Sequence, residues 1–392
     1  MSSHFRFDPA GLVGVIVLAI WLHLFFGRGW FWRIGRADTD QDSKEELADW
    51  PSVTAIVPAR NEAETIGRSI ASLLRQDYPG TLSIVLVDDH SEDATASMAY
   101  QVAEENGATA RTQIITAPQL APDWTGKLWA MQAGIAAAEQ GKSHFLWFTD
   151  ADITHGPDTL RRLVTRAERN HLDLASLMVL LHATTIPERA LIPPFLYFFL
   201  MLYPPQWIAD ADLRTAGAAG GCVLLKRDAL ERIGGLAAIR GEVIDDCALA
   251  RAVKTSGGQV WMGLTRHSVS LREYKTFGEI RDLIARTAFT QLRYSSTLLL
   301  GTLVGMLVTY IAPVLLLFVH DATARVLGGA GWLLMTSSFA ATVRFYRISI
   351  WWSLALPFAA LFYTAATWIS AVRYWNGRGG QWKGRAQARR EA

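Results

Sequence analysis

The chain puts its apolar residues to two different uses, and that division constrains its fold more than any single motif. Stretches of bilayer length stand near both ends, and between them short apolar runs alternate with helical spacings. Residues 10–26 are apolar apart from His23. As a helix at 1.5 Å per residue they cover roughly 25 Å, just under a ~30 Å hydrocarbon core. Apolar stretches return at 297–318, about 327–343 and 348–372, the second interrupted by glycines and a Thr-Ser-Ser cluster. Hydrophobic residues make up 51% of the 392, high for a purely soluble chain. The net charge is only +2, so nothing in the total asks for a nucleic-acid partner. Cys222 and Cys247 are the only cysteines, too few for a disulfide framework or a zinc cage, and are expected to be reduced.

A cleaved signal peptide is the rival reading of the first stretch. Bulky and basic residues (Arg28, Trp30, Phe31, Trp32, Arg33) follow it with no small-x-small cleavage site, which favours an uncleaved anchor over 1–36. Arg28, Arg33 and Arg36 place its C-terminal end in the cytoplasm. Three further crossings over 297–372 would then leave the C-terminus outside. Yet the tail over 373–392 carries Arg373, Arg378, Lys383, Arg385, Arg389 and Arg390, which prefer the cytoplasm. Either the middle stretch is re-entrant or the early anchor dominates. The apolar segment 190–209 holds Pro193, Pro194, Pro204 and Pro205, which argues against a simple span. An interfacial helix, or one covering a site mouth, is expected there, with a buried core helix as the alternative.

Between the polar linker over 37–50 and residue 296, strands are expected at 53–57, 82–87, 112–116 and 144–149. Helices are expected at 62–75, 94–105, 127–139 and 157–169. Such alternation implies an α/β fold, Rossmann-like, with a mostly parallel sheet and helices on both faces. Ligands in such sheets bind beyond the carboxyl ends of the strands. The polar residues gather there. Pro58-Ala59-Arg60-Asn61-Glu62 follows the first strand and offers backbone N–H groups and side chains to a nucleotide, though Asn61 alone suits a helix cap. Asp88 and Asp89 end the second; a carboxylate there accepts a base N–H or pairs with ribose hydroxyls, or simply belongs to a capping turn. Asp150-Ala151-Asp152 follows a buried strand, and two acids one residue apart can share a hard cation, Mg²⁺ or Mn²⁺, with diphosphate oxygens. A solvated turn is the plainer alternative.

Trp124-Thr125-Gly126-Lys127 opens a helix, where Lys127 suits a phosphate or donor contact; it is not a Walker A, since the earlier glycine is missing. Gly217-Ala218-Ala219-Gly220-Gly221 is a small-residue loop that permits close substrate approach or a tight turn. Asp245 and Asp246 precede a helical face of Leu249, Ala250 and Val253. An acid there can take the proton of an attacking hydroxyl, or merely favour the helix dipole. Arg286 and Gln291-Leu292-Arg293-Tyr294 stand just before the bilayer, where guanidinium groups hold a diphosphate or lipid headgroups. His267 is a weaker candidate for a metal or phosphate contact.

These residues, in this order, resemble family 2 glycosyltransferases of the GT-A fold over about 51–296. Trp124–Lys127 and the stretch from Arg286 to Tyr294 are similar to the hopene-associated membrane enzymes of bacteria, which are distant relatives of ceramide glucosyltransferases. The resemblance implies an inverting transfer from a nucleotide-sugar, a UDP-sugar favoured, to a membrane lipid. It implies a divalent metal on Asp150 and Asp152, and Asp246 as general base with Asp245 beside it. Pro58, Ala59, Arg60, Glu62, Asp88, Asp89, Lys127, Asp150 and Arg293 would bind the donor. It implies a multi-pass protein of the bacterial inner membrane with its catalytic domain in the cytoplasm. Ceramide-type and processive relatives carry Gln or Arg, two residues, then Arg-Trp; here Thr290 and Tyr294 replace the first and last, so polymer synthesis is not expected. A nucleotidyltransferase on the same sheet would want a Gly-rich first loop, which 58–62 lacks. An inactive membrane scaffold would not need its acids.

Overall fold

The computed structural model describes residues 9–34, 47–138, 143–379, 381–382 and 385–386. Arg36, most of the expected linker over 37–50, Glu139, and Lys383, Arg389 and Arg390 of the basic tail lie outside them. The strands are β1 (Val53–Ala59), β2 (Leu82–Asp88), β3 (Thr112–Thr116), β4 (Phe145–Phe148), β5 (Ile153–Thr154), β6 (Leu174–Leu180), β7 (Val223–Lys226) and β8 (Val260–Ser270). They form one sheet in the order β3-β2-β1-β4-β7-β6-β8-β5. β1 to β4 are mutually parallel neighbours, with Ala59 beside Asp88 and Ile56 beside Phe148. Their carboxyl ends therefore line one edge. Every residue of β1 and β4 is buried, as befits strands covered on both faces. The far half departs from the simple alternation. β7 runs antiparallel to both β4 and β6, and β5 antiparallel to β8.

Helices α2 (Ala63–Leu74), α3 (Thr95–Glu105), α4 (Gly126–Ala138) and α5 (Thr159–Arg169) connect these strands. In α2 the spacing Ile66, Ile70, Leu73 and Leu74 is the buried stripe that helical periodicity requires. Gly134 lets α4 lie close on the sheet, since a Cβ there would stand 2.5 Å from Ile56 and 3.0 Å from Val87.

Segment 190–209 divides into α6 (Ile186–Leu202) and the short α7 (Pro205–Ala209). Pro193 and Pro194 lie inside α6, which opens on a capping box between Thr185 and Glu188. Rather than lying open at a surface, Leu191, Ile192, Leu196, Tyr197 and Leu200 are buried. The Tyr197 hydroxyl meets that of Ser338 at 2.7 Å, and Tyr363 donates to the Leu191 carbonyl at 2.8 Å. The packed-helix alternative describes this element better than an interfacial one. After it come α8 (Arg227–Arg232), α9 (Asp245–Thr255) and α10 (Phe277–Gln291).

Among the described residues, four helices are long and apolar enough to cross a membrane: Pro9–Gly27, Ser296–Leu316, Ala322–Phe345 and Ile350–Trp375. The first is α1 (Pro9–Leu22) extended by a π turn, and the second is α11 (Ser296–Met306), a π turn and α12 (Ala312–Leu316). The third, α13 (Ala322–Phe345), is one unbroken helix despite its glycines and polar cluster, and the fourth ends in α14 (Leu356–Trp375). The glycines of α13 serve packing. A Cβ at Gly331 would stand 2.8 Å from Val17 of α1, and one at Gly328 2.5 Å from Leu316 of α12. Small residues at such crossings let backbones approach closely.

Candidate active site

The parallel strands bring three of the sequence motifs to one sheet edge. The loop after β1, the acids after β2 and the acids after β4 share it by register. Two helix N-termini close over this edge: α4, opening at Gly126, and α9, opening at Asp245. One cleft is lined by Pro58, Lys127, Phe148, Asp150, Gly220, Asp245 and Asp246 among others. Lys127 is its hub. Its Nζ lies 2.9 Å from Asp150 Oδ1 and 3.3 Å from Asp245 Oδ2. Burial alone would lower its pKa, but Asp150, Asp245 and Asp246 outweigh burial and hold the ammonium above the ordinary lysine value.

Asp246 is held by two backbone donors. Gly220 N–H donates to Oδ2 at 2.8 Å, and Cys247 N–H donates to Oδ1 at 2.7 Å. Burial and the neighbouring Asp245 push its pKa up to about 6, against the opposing pull of Lys127 and the two N–H groups. A carboxylate tuned upward in a cleft suits a general base. The loop passes close to both side chains at Gly220, where a Cβ would stand 3.2 Å from Lys127 Nζ and 3.4 Å from Asp246 Oδ2.

At the other end, Arg60 is a brace. Its Nη1 donates to the carbonyls of Asp89 at 2.5 Å and His90 at 3.2 Å, and lies 3.9 Å from the Asp89 carboxylate. Asn61 and His90, both at positive φ, are stitched across the two loops. Asn61 N–H donates to Ser91 Oγ, and Glu92 N–H donates to Asn61 Oδ1. Glu62 receives the Thr65 hydroxyl at the start of α2. Buried Asp88 Oδ1 and Arg60 Nε have no protein partner, so this corner keeps an unspent acceptor and donor for a ligand.

Three expectations shift. Lys127, expected at a phosphate, is engaged by the Asp150 and Asp245 carboxylates. Asp152 lies by Tyr274, where Arg272 and Arg286 also act, and its carbonyl receives Leu271 N–H. Arg293, expected at the donor, is exposed and sits at φ +52° beyond the end of α10. Its neighbour Gln291 faces inward instead. Gln291 Nε2 donates to the Tyr203 hydroxyl at 2.7 Å, which returns a bond to Oε1 at 3.0 Å. Tyr203 stands beside Cys247 and Asp246, with its ring against Gly217. Under Thr149, His155 bonds that hydroxyl at 2.7 Å and is kept neutral by burial, its pKa about 3. His267 faces Asp158 at 4.0 Å. Tyr203 and His155 carried no local signal in sequence, whereas Gly220 belongs to the small-residue loop over 217–221.

No group of three His, Cys, Asp or Glu side chains converges among the described residues. Mg²⁺ and Mn²⁺ commonly take one or two carboxylates and complete their shell with water and substrate phosphates. Asp150 and Asp152, two carboxylates one residue apart, are the residues that would supply such a partial shell.

Residues 54–234 match the model of Glycosyl transferase family 2. An N-acetylglucosaminyltransferase of Mesorhizobium japonicum is 28% identical over 190 residues, which cover 46% of this chain and 41% of that one. A 4,4'-diaponeurosporenoate glycosyltransferase of Staphylococcus aureus is 34% identical over 103 residues, covering 26% and 24%. The chain thus spans less than half the length of these relatives. Among solved structures, a mannosyltransferase of Pyrobaculum calidifontis in complex with GDP-Man and Mn²⁺ shares the fold, with TM-score 0.56, 18% identity, and coverage of 93% and 99%. The family match takes in the loop after β1, Asp88, Asp89, Lys127, Asp150 and Asp152 and ends before Asp245. Residues 54–234 thus match the glycosyltransferase family 2 model, within a domain that has the GT-A fold.

Proposed function

We propose that this protein is an inverting glycosyltransferase that moves a sugar from a nucleotide-sugar to a hydroxyl of a membrane lipid. The observation that carries the reading is Asp246, a carboxylate with an upward-shifted pKa held by Gly220 and Cys247, beside Lys127 and Asp150. The acceptor oxygen attacks the anomeric carbon as the bond from that carbon to the diphosphate oxygen breaks. Asp246 takes the acceptor proton, and the nucleoside diphosphate leaves. Asp88 and Arg60, with their unspent buried atoms, receive the nucleoside. Lys127 meets the growing charge on the diphosphate. A divalent ion on Asp150 and Asp152 would neutralise the same leaving group. The mannosyltransferase neighbour, in complex with GDP-Man and Mn²⁺, supports a nucleotide-sugar and a metal, while the choice between UDP and GDP belongs to experiment. The lipid acceptor rests on four membrane-length helices and on a relative named for 4,4'-diaponeurosporenoate. A hopanoid, a polyprenyl phosphate or a diacylglycerol fits that class.

The test is nucleoside diphosphate release by purified protein in detergent. It uses UDP- and GDP-sugars with Mn²⁺ or Mg²⁺, with and without bacterial lipid, beside Asp246→Ala. Lipid-stimulated release that is lost in the variant is expected. Pyrophosphate release would instead indicate nucleotidyl transfer. Donor binding without any release would remove the catalytic reading.

A further inference from the structure

The last apolar segment is long enough to cross a bilayer, but its two ends are tied to the same side of the molecule. The entry to it follows α13. There Arg266 of β8 lies 5.5 Å over the ring of Phe345, and Tyr346 shares a hydrogen bond with the Leu181 backbone just after β6. Residue 346 is therefore against the catalytic domain. The exit is tied to α10. Arg373 Nη2 meets Asp282 Oδ1 at 2.6 Å, and Ser370 accepts from Phe289 N–H at 3.0 Å and donates to the Ala285 carbonyl at 2.6 Å. Tyr374 stacks on Tyr294 at 4.3 Å. That end of α10 is on the catalytic side too, because Gln291 bonds Tyr203 beside Asp246.

The other helices set the frame. α1 ends on the catalytic side, where Arg28 Nε donates to the Met201 carbonyl at 3.0 Å. α13 runs parallel to α1, with Gly14 against Leu327 and Gly331 against Val17 and Trp21, so it also ends on that side. The turn over 317–321, between α12 and α13, is then on the opposite side.

We infer that residues 347–375 do not cross the bilayer. They enter it from the catalytic side and return to the same side, so that the chain crosses three times and its C-terminus shares a compartment with the active site. The surface this offers to the catalytic-side leaflet is the exposed face of α14, with Phe358, Leu361 and Trp368 each about half exposed, at spacings of one helix face. Its buried face packs on α10, whose Arg281 and Asp282 side chains are 42% and 49% exposed and cannot sit in hydrocarbon. Charge agrees. Arg344 in the last turn of α13 and Arg347 just after it, and Arg373 in the last turn of α14 and Arg378 just after it, are all on the side that already holds Arg28 and Arg33. The conflict between a basic tail and three C-terminal crossings is thereby removed.

The experiment is labelling of the full chain in bacterial cells with a membrane-impermeant maleimide, using His320→Cys, Ser349→Cys and Asn376→Cys, all at exposed positions. Cys222 and Cys247 are buried and give the background. Ser349→Cys and Asn376→Cys are expected to react under the same condition, only after permeabilisation, and His320→Cys in intact cells. Opposite behaviour at 349 and 376 would overturn the inference. C-terminal fusions to green fluorescent protein and alkaline phosphatase give a second measurement without substitution. Fluorescence without phosphatase activity is expected, and the reverse would overturn it. Neither readout depends on the proposed reaction.

Discussion

At the scale of single residues, Asp246 sits where ionisation is costly, and that cost can serve proton transfer. Below about pH 6 it holds a proton and cannot accept another, so the rate should fall about tenfold per pH unit on the acid side. Asp246→Asn keeps the shape but removes the base, and a loss of about 10²–10⁴ in kcat with disappearance of that limb is expected. Lys127 stabilises the ionised form. Lys127→Met should therefore move the limb to higher pH, which a pH–rate profile reads directly; a limb that stays put would separate Lys127 from the base. Asp150, Asp245 and Asp246 could be found in the sequence because acids at strand ends and helix starts are locally marked. Tyr203 could not, because its meaning comes from segments joined only in the folded chain. The turn at the end of α10 likewise faces Gln291 inward and leaves the Arg293 guanidinium exposed, which a linear motif does not encode.

At the scale of elements, the second apolar stretch carries a defect that another helix repairs. Pro313 has no N–H to give the Thr309 carbonyl four residues earlier, and a π turn over Leu307–Ile311 precedes it. Trp21 of α1 donates its indole N–H to that carbonyl at 2.8 Å. An unpaired carbonyl at such depth is costly, so Trp21→Phe should destabilise by about 1–2 kcal/mol, seen as a drop in Tm in detergent. Adding Pro313→Ala restores the local donor and should recover part of the loss; strict additivity of the two changes would count against the repair. Hydropathy reveals the lengths of these helices but not such a junction, which depends on which helix lies alongside. Likewise β1 to β4 were legible as apolar runs, whereas β6 and the reversed direction of β7 were not, because a buried run does not encode the direction of its neighbour.

At the scale of the molecule, the catalytic domain and the membrane helices share one core. The largest buried cluster runs without a break from Ile56 and Leu146 of the sheet, through α6, to Trp21, Phe339 and Tyr363. The sequence shows two kinds of apolar segment but not that α6 joins them, since its prolines read equally well as a surface helix. The chain is therefore not expected to divide at residue 276. A truncation to 47–276 strips the cover from Leu191, Ile192, Leu196, Tyr197, Phe198 and Leu200, all buried in the whole chain. At about 1.5–3 kcal/mol for each large apolar side chain, the burial forfeited is about 9–18 kcal/mol, as large as the net stability of a typical domain. Expressed without detergent, the truncated chain should aggregate or elute in the void volume, while the full chain in detergent elutes as a single species. A soluble, monodisperse 47–276 with cooperative unfolding would show instead that α6 belongs to the catalytic domain alone and that the membrane helices only tether it.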